Sequence, residues 1–205
     1  MGHESVLQKL RDHWDQLARE DARGHGCPGQ GGATDEDFAR SGAEFVRAVV
    51  EPELMELAAP ASEAVALEVG CGPGRILRPL ATHFGEVHGV DISREMVGVA
   101  KEFVAGAENV TVHLGDGMTL QCVRRLQFDF VLSYDTLSHL PDRRLLEYLL
   151  RQCRQRLKPD GLCKLQLDPA TISDEEVAQT MERAGLAIQK SQRDDMNLWI
   201  WSRRP

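Results

Sequence analysis

Glu68, Asp91 and a short run of glycines are the residues of this sequence best placed to do chemistry. Val65-Ala-Leu-Glu-Val-Gly-Cys-Gly-Pro-Gly-Arg-Ile76 sets an apolar strand ahead of Gly70, Gly72 and Gly74, and Ile76, Leu77, Leu80 and Ala81 predict an amphipathic helix after them. Without Cβ atoms the bend can turn sharply and approach a ligand closely, while unpaired N–H groups at a helix start attract an anion. Glu68 ends the first strand, and Asp91, 21 residues beyond Gly70, ends the next. A carboxylate at that spacing suits the two hydroxyls of a ribose, so the residues predict a nucleoside site. The third glycine slot of the dinucleotide fingerprint G-x-G-x-x-G is filled by Arg75. The bend alone leaves open a nicotinamide or flavin dinucleotide, a different nucleoside cofactor, or a plain structural turn. Cys71 within it reads either as a thiol activated at a helix start or as a small residue filling a tight loop.

The elements that must position these residues alternate between strand and helix. Leu7, Leu10, Trp14 and Leu17 fall at helical spacing, with Trp14 on the apolar face, where it reads either as core or as part of a lid over the ligand. Gly24 to Gly32 is too rich in glycine for regular structure and is expected to be a mobile loop. A second helix is expected from Thr34 or Asp35, with Phe38, Phe45, Val46, Val49 and Val50 inward and an interruption near Pro52. Residues 1–60 are therefore read as a helical cap, part of the same domain as residues 61–205. Later strands are expected at Val87–Val90, Val110–Leu114, Phe128–Ser133 and Leu162–Leu167, and closing strands at about 187–192 and 196–202. Ser93, Pro141-Asp142, and the box of Ser173 and Glu176 open three helices, and Gly185 stops the last. Such alternation predicts an α/β fold with a mostly parallel sheet, and a final hairpin adds one antiparallel strand.

At 205 residues a single domain is the default, and about 70% of the unfolded surface can be buried. Twenty-four Lys and Arg stand against 32 Asp and Glu, a net charge of −8 with no basic stripe, which argues against nucleic acid as partner. The odd set Cys27, Cys71, Cys122, Cys153 and Cys163 forms no C-x-x-C pair, and neither a signal-peptide core nor an apolar run of about 18 residues is present. A cytoplasmic protein with reduced thiols is expected, with no membrane partner. The histidines show no ligand spacing, so no metal is expected.

The run Glu68-Val-Gly-Cys-Gly-Pro-Gly74 resembles motif I, (E/D)-x-G-x-G-x-G, of the class I S-adenosylmethionine-dependent methyltransferases. His88-Gly-Val-Asp91-Ile-Ser93 resembles their second motif, Gly115-Asp116-Gly117 the next, and Leu157-Lys-Pro-Asp-Gly161 the turn before strand five. Phe128 to Asp142 resembles the segment lining the methionine half and the acceptor pocket. The resemblance is strong over about residues 63–166 and looser at both ends. It implies a Rossmann-like, doubly wound seven-stranded sheet, S-adenosyl-L-methionine as cofactor, and a small-molecule acceptor methylated at O or N. A nicotinamide oxidoreductase and a non-catalytic cofactor-binding relative are the alternatives. Tyr134-Asp-Thr-Leu137 stands where amino-methylating DNA enzymes carry Asn-Pro-Pro-Tyr. Oligomeric state is left open.

Carried over residue by residue, Gly70, Cys71, Gly72, Gly74 and Arg75 surround the methionine end, and Glu68 supports that loop and the ammonium side. Asp91 holds the ribose, Ile92 and Met96 pack on adenine, Asp116 reads its amino group, Met118 flanks it, and Gly117 and Ser133 complete the cofactor set; Met96 and Met118 read equally as core filler. Holding two reactants in line can supply about 7–11 kcal/mol, and an acceptor with an acidic proton also wants a base. His139, with Asp135 and Tyr134 behind it, is the best-placed candidate; its other reading is support of the turn before Pro141. Only Asp168 to Ile172 separate strand five from the last helix, so the acceptor side is either open, built by the Gly24–Gly32 loop, or completed by another subunit.

Overall fold

The computed structural model describes residues 3–26 and 34–205. Its centre is one seven-stranded sheet in the order β3-β2-β1-β4-β5-β7-β6. The strands are β1 (Val65–Val69), β2 (Glu86–Asp91), β3 (Val110–Leu114), β4 (Phe128–Ser133), β5 (Leu157–Leu167), β6 (Ala187–Arg193) and β7 (Leu198–Arg203). β1 to β5 pair in parallel, and β7 runs antiparallel to both β5 and β6. This is the mostly parallel sheet with a terminal hairpin that the alternation of strand and helix predicts.

Alternation along each strand sends side chains to two cores. Leu67, Val69 and Val131 join one with Leu146, Leu149, Leu150 and Cys153 of α5 (Arg143–Arg156) and Val177 and Met181 of α6 (Asp174–Ala184). Ala66, Phe130 and Leu132 join the other with Leu77 and Leu80 of α3 (Leu77–Leu80), Val97 and Ala100 of α4 (Arg94–Phe103), and Val46 and Val50. Both faces are thus covered, as a parallel sheet requires. Wholly buried leucines of this kind contribute about 1.5–3 kcal/mol each.

Local chemistry sets most boundaries as expected. Thr34 and Asp37 form a capping box at α2 (Asp35–Phe45), Ser93 caps α4 through the N–H of Met96, and Ser173 and Glu176 form a second box at α6. Gly185 ends α6 in the left-handed conformation, φ 75°. Past α2 the chain loosens into a π turn over Val46–Val50 and a 3-10 stretch over Glu51–Glu56, because Pro52 donates no N–H.

Three expectations differ. β5 begins at Leu157 rather than Leu162: Phe128 pairs with Leu157 and Phe130 with Leu162, so residues 158–161 bulge out of register, with Asp160 at φ 63°. α3 is a single turn containing Pro79, too short to act as the dipole site expected after the glycine bend. α1 (His3–His25) runs on through Gly24, with Asp21 off helical geometry and its carboxylate accepting the Gly24 N–H at 2.9 Å. The rest of the expected glycine loop, from Cys27, lies outside the described residues.

Candidate functional site

β1 and β4 are neighbours although β2 and β3 intervene in sequence, so the order of strands reverses between them. Ligands of open α/β sheets gather at such a reversal, outside the carboxyl ends of the strands. A cavity of about 120 Å³, partly open to solvent, lies there, walled by the ends of β1, β2 and β4, the glycine bend and α1.

Glycine is needed at the bend for two different reasons. Gly70 has φ 77°, and a Cβ there would collide with the Thr136 side chain, whose hydroxyl donates to Gly70 O at 3.2 Å. Gly72, φ 50°, has open space where a Cβ would sit, so only its backbone angle demands glycine. The bend is tied to β2: Gly70 and Cys71 donate to Val90 O, and Gly72 donates to Asp91 Oδ2 at 2.8 Å. Asp91 Oδ1 accepts from Ser93 N at 2.8 Å. Burial pushes the Asp91 carboxyl above its ordinary value, and the Ser93 and Gly72 N–H groups oppose that shift.

Glu68 sits beneath the bend, 2% exposed, and its Oε2 has no hydrogen-bond partner among the described residues. Burial pushes its carboxyl up to about 8; the Arg75 charge opposes this and the Asp91 charge adds to it. Arg75, in the slot where a dinucleotide fingerprint carries glycine, is buried and donates to Gly26 O at 3.2 Å and Ser41 O at 3.3 Å. Its guanidinium lies 5.4 Å from the Phe45 ring centre and 5.8 Å from that of Tyr134. Arg75 thus joins the bend to the helical cap, where a third glycine would have brought helix against strand. Burial pushes the Cys71 thiol well up, which leaves it a filler of the loop rather than a nucleophile.

The β4 end carries the residues expected to do acid–base work. Asp135 has φ 50°, held by its N–H donating to Gln166 Oε1 at 3.0 Å. His139 Nε2 lies 3.6 Å from Asp135 Oδ1, and both side chains are 42% exposed, enough to meet a ligand. The Tyr134 ring stacks on Trp199 at 5.7 Å, with 8° between planes. Trp14 stands on the cavity wall, its ring edge-on to His139 at 5.0 Å, and also packs against the small core cluster of Ala18, Ala22 and Met96.

Of the expected site residues, Glu68, Gly70, Cys71, Gly72, Arg75, Asp91, Ile92, Met96, Gly117, Tyr134, Asp135 and His139 line this one cavity. Gly74, Asp116, Met118 and Ser133 are not on its wall. Gly74, φ 87°, packs its backbone on Ala100. Ser133 is wholly buried and donates to Val69 O at 3.0 Å, joining β4 to β1. The Asp116 carboxylate accepts the N–H groups of Met118 at 2.9 Å and Thr119 at 2.6 Å, folding back on its own turn. Leu10 joins the wall from α1, where helical spacing marks a buried face but not what lies beyond it, and His25, Thr136 and Leu140 join it from the two segments expected on the acceptor side. Among the described residues no helix is long and apolar enough to cross a membrane, and no group of three or more His, Cys, Asp and Glu could hold a metal ion.

Residues 66–161 match a family model described as a methyltransferase domain. The ubiquinone biosynthesis O-methyltransferase of Sinorhizobium fredii is 29% identical over 124 residues, 60% of this chain and 44% of that relative. A protein of the same description from an Azoarcus species is 31% identical over 96 residues, 46% of this chain and 40% of the relative. The chain thus spans less than half the length of these curated relatives. The magnesium protoporphyrin IX methyltransferase of Synechocystis PCC 6803, solved with bound S-adenosylmethionine, superposes with a TM-score of 0.73 at 20% identity, covering 100% of this chain and 98% of that one. A methyltransferase of Streptomyces caelestis gives 0.65 at 22% identity, covering 87% and 99%. Strand order, a glycine bend over a buried acid, and the matched segment converge: residues 66–161 match a methyltransferase domain, carried on a sheet with the fold of these solved methyltransferases.

Proposed function

We propose that this protein transfers a methyl group from S-adenosyl-L-methionine to an oxygen or nitrogen atom of a small-molecule acceptor. The observation that carries the reading is the pairing, in one cavity, of a hydrogen-bonded Asp91 with a buried Glu68 oxygen that lacks a donor. A nucleoside that also bears an ammonium group answers both carboxylates. When bound, the cofactor supplies a methyl group on a positively charged sulfur, open to in-line displacement by the acceptor.

The protein's own contribution is to hold and to orient. Asp91 receives the ribose hydroxyls while the N–H groups of Gly72 and Ser93 fix its carboxylate. Ile92 and Met96 pack on adenine, with Gly117 at its edge. Gly70, Cys71, Gly72, Gly74 and Arg75 shape the methionine end, Glu68 faces the ammonium side, and Ser133 holds the β1 and β4 tips together. His139 takes the acceptor proton, Asp135 favours the imidazolium that results, and Tyr134 walls the acceptor. Trp14 and Leu10 of α1 exclude water from that side. The N-terminal helices act as a lid, with Arg75 as their attachment to the bend.

The curated relatives are described as O-methyltransferases of ubiquinone biosynthesis, which supports an oxygen acceptor. The net charge of −8 argues against nucleic acid. Four free cysteines among the described residues, three of them buried, favour a reducing, cytoplasmic setting. Transfer of a labelled methyl group into fractionated cell extract tests the reading. Label is expected in the metabolite fraction; label confined to protein or RNA would overturn the small-molecule assignment, and none anywhere would overturn the activity.

A further inference from the structure

Two carboxylates face one cavity with unequal support. Asp91 accepts two backbone N–H groups at 2.8 Å each. Glu68 Oε2 accepts none among the described residues, although Glu68 is only 2% exposed. Leaving an unpaired charge there is costly, whereas a protonated carboxyl is far cheaper to bury. The positive charge that acts on Glu68 is that of Arg75, whose Nε and Nη1 are directed to Gly26 O and Ser41 O.

The other charged or titratable groups around Glu68 come from every wall. The bend brings Cys71 beside Arg75, and β2 brings Asp91. The segment after β4 brings Tyr134, Asp135 and His139, and α1 brings His25. Asp15 of α1 acts at one remove, by raising Asp91. Of these groups the Asp91 charge works against a charged Glu68, and the Arg75 charge works for it.

We infer that Glu68 holds a proton in the ligand-free protein and gives it up when a cationic ammonium group enters the cavity, so that cofactor binding is coupled to release of about one proton. The inference rests on the cofactor reading above. The step is an acid–base exchange: the Glu68 O–H bond breaks, its electron pair stays on the carboxylate, the proton passes to solvent, and the carboxylate pairs with the incoming N–H groups. Burial raising the Glu68 carboxyl to about 8 agrees with this and sets the window. Below that value ligands bearing the ammonium must tighten with rising pH, by up to about tenfold per pH unit. Ligands without it should not.

Calorimetry separates the two classes. S-adenosylhomocysteine, which carries the ammonium, and adenosine, which does not, are titrated into the whole chain at pH 6.0, 6.5 and 7.0, in phosphate and in Tris buffers. The apparent enthalpy for S-adenosylhomocysteine should differ between buffers by about one proton's ionisation enthalpy, and adenosine should show no difference. Adenosine also reports any proton moved by Asp91, since both ligands carry the ribose. Glu68→Gln should remove the difference for S-adenosylhomocysteine while binding persists. Should that variant fail to fold, the ratio of the two affinities against pH in the unsubstituted protein decides: a ratio rising with pH supports the proposal, and a flat one overturns it. S-adenosylhomocysteine binding with no proton released, or with release unchanged in Glu68→Gln, overturns the proposal alone. No binding of either ligand overturns it together with the cofactor reading.

Discussion

The hydroxyl of Ser93 donates to Asp15 Oδ1 at 2.6 Å while accepting the Met96 N–H at 3.0 Å. One buried serine therefore caps α4 and fastens α1 across it, two residues past the Asp91 carboxylate. Asp15 Oδ1 also receives the Glu95 N–H at 3.2 Å. Asp15→Ala should cost about 1.5–3 kcal/mol, the scale of a hydrogen bond to a charged group. Urea unfolding reads the loss, and hydrogen exchange in α1 should rise more than in α5; an unchanged midpoint would detach α1 from the site.

Asp91→Ala removes the acceptor of both the Gly72 and Ser93 N–H groups. Affinity for S-adenosylhomocysteine is expected to fall by about 2–3 kcal/mol, again the scale for hydrogen bonds to a charged group. Calorimetry on the folded variant measures it, and unchanged affinity would take Asp91 out of the ribose role.

His139 and Asp135 are assigned to the acceptor proton, not to the cofactor. His139→Gln should therefore lower kcat by about 10²-fold or more while leaving the Kd for S-adenosylhomocysteine unaltered. A matched fall in cofactor affinity would assign His139 to support of the turn before Pro141.

Glu68 ties stability to pH with a definite sign. The folded protein keeps its proton up to about 8, whereas the unfolded chain loses it near 4.5. Between those values the folded state binds more protons, so stability falls as pH rises through the window. Thermal unfolding of Glu68→Gln from pH 4 to 9 should show a flatter profile than the unsubstituted protein; parallel profiles would contradict the buried proton.

Lys164 lies 4% exposed in β5, with Nζ donating to Val49 O at 2.6 Å and Glu53 Oε1 at 2.8 Å. Its charge also faces the Trp199 and Trp201 rings at 5.2 and 4.5 Å. Lys164→Met leaves Glu53 without that partner and should destabilise by about 3–5 kcal/mol. The double variant with Glu53→Met should recover much of this, as unfolding midpoints would show; no recovery would mean that the carbonyl and ring contacts dominate.

Features fixed by neighbours in sequence were legible from the residues alone. The glycine bend, the acids at the tips of β1 and β2, the caps at Thr34, Ser93 and Ser173 and the stop at Gly185 each depend on a few consecutive positions. Features fixed by distant partners were not. Trp14 at helical spacing fits a core as well as a cavity wall, and only the packing of α1 over α4 shows that it serves both. Lys164 interrupts an apolar strand for a reason that lies 111 residues away. The early start of β5 comes from a register shift that no periodicity announces, and the inward fold of Asp116 from turn geometry its sequence permits but does not demand.

The account stands or falls on where an adenosine binds. A crystal structure of the whole chain with S-adenosylhomocysteine should show the ribose hydroxyls on Asp91 and the ammonium beside Glu68, above the bend from Gly70 to Gly74. Density for the nucleoside at any other place on the sheet would contradict it.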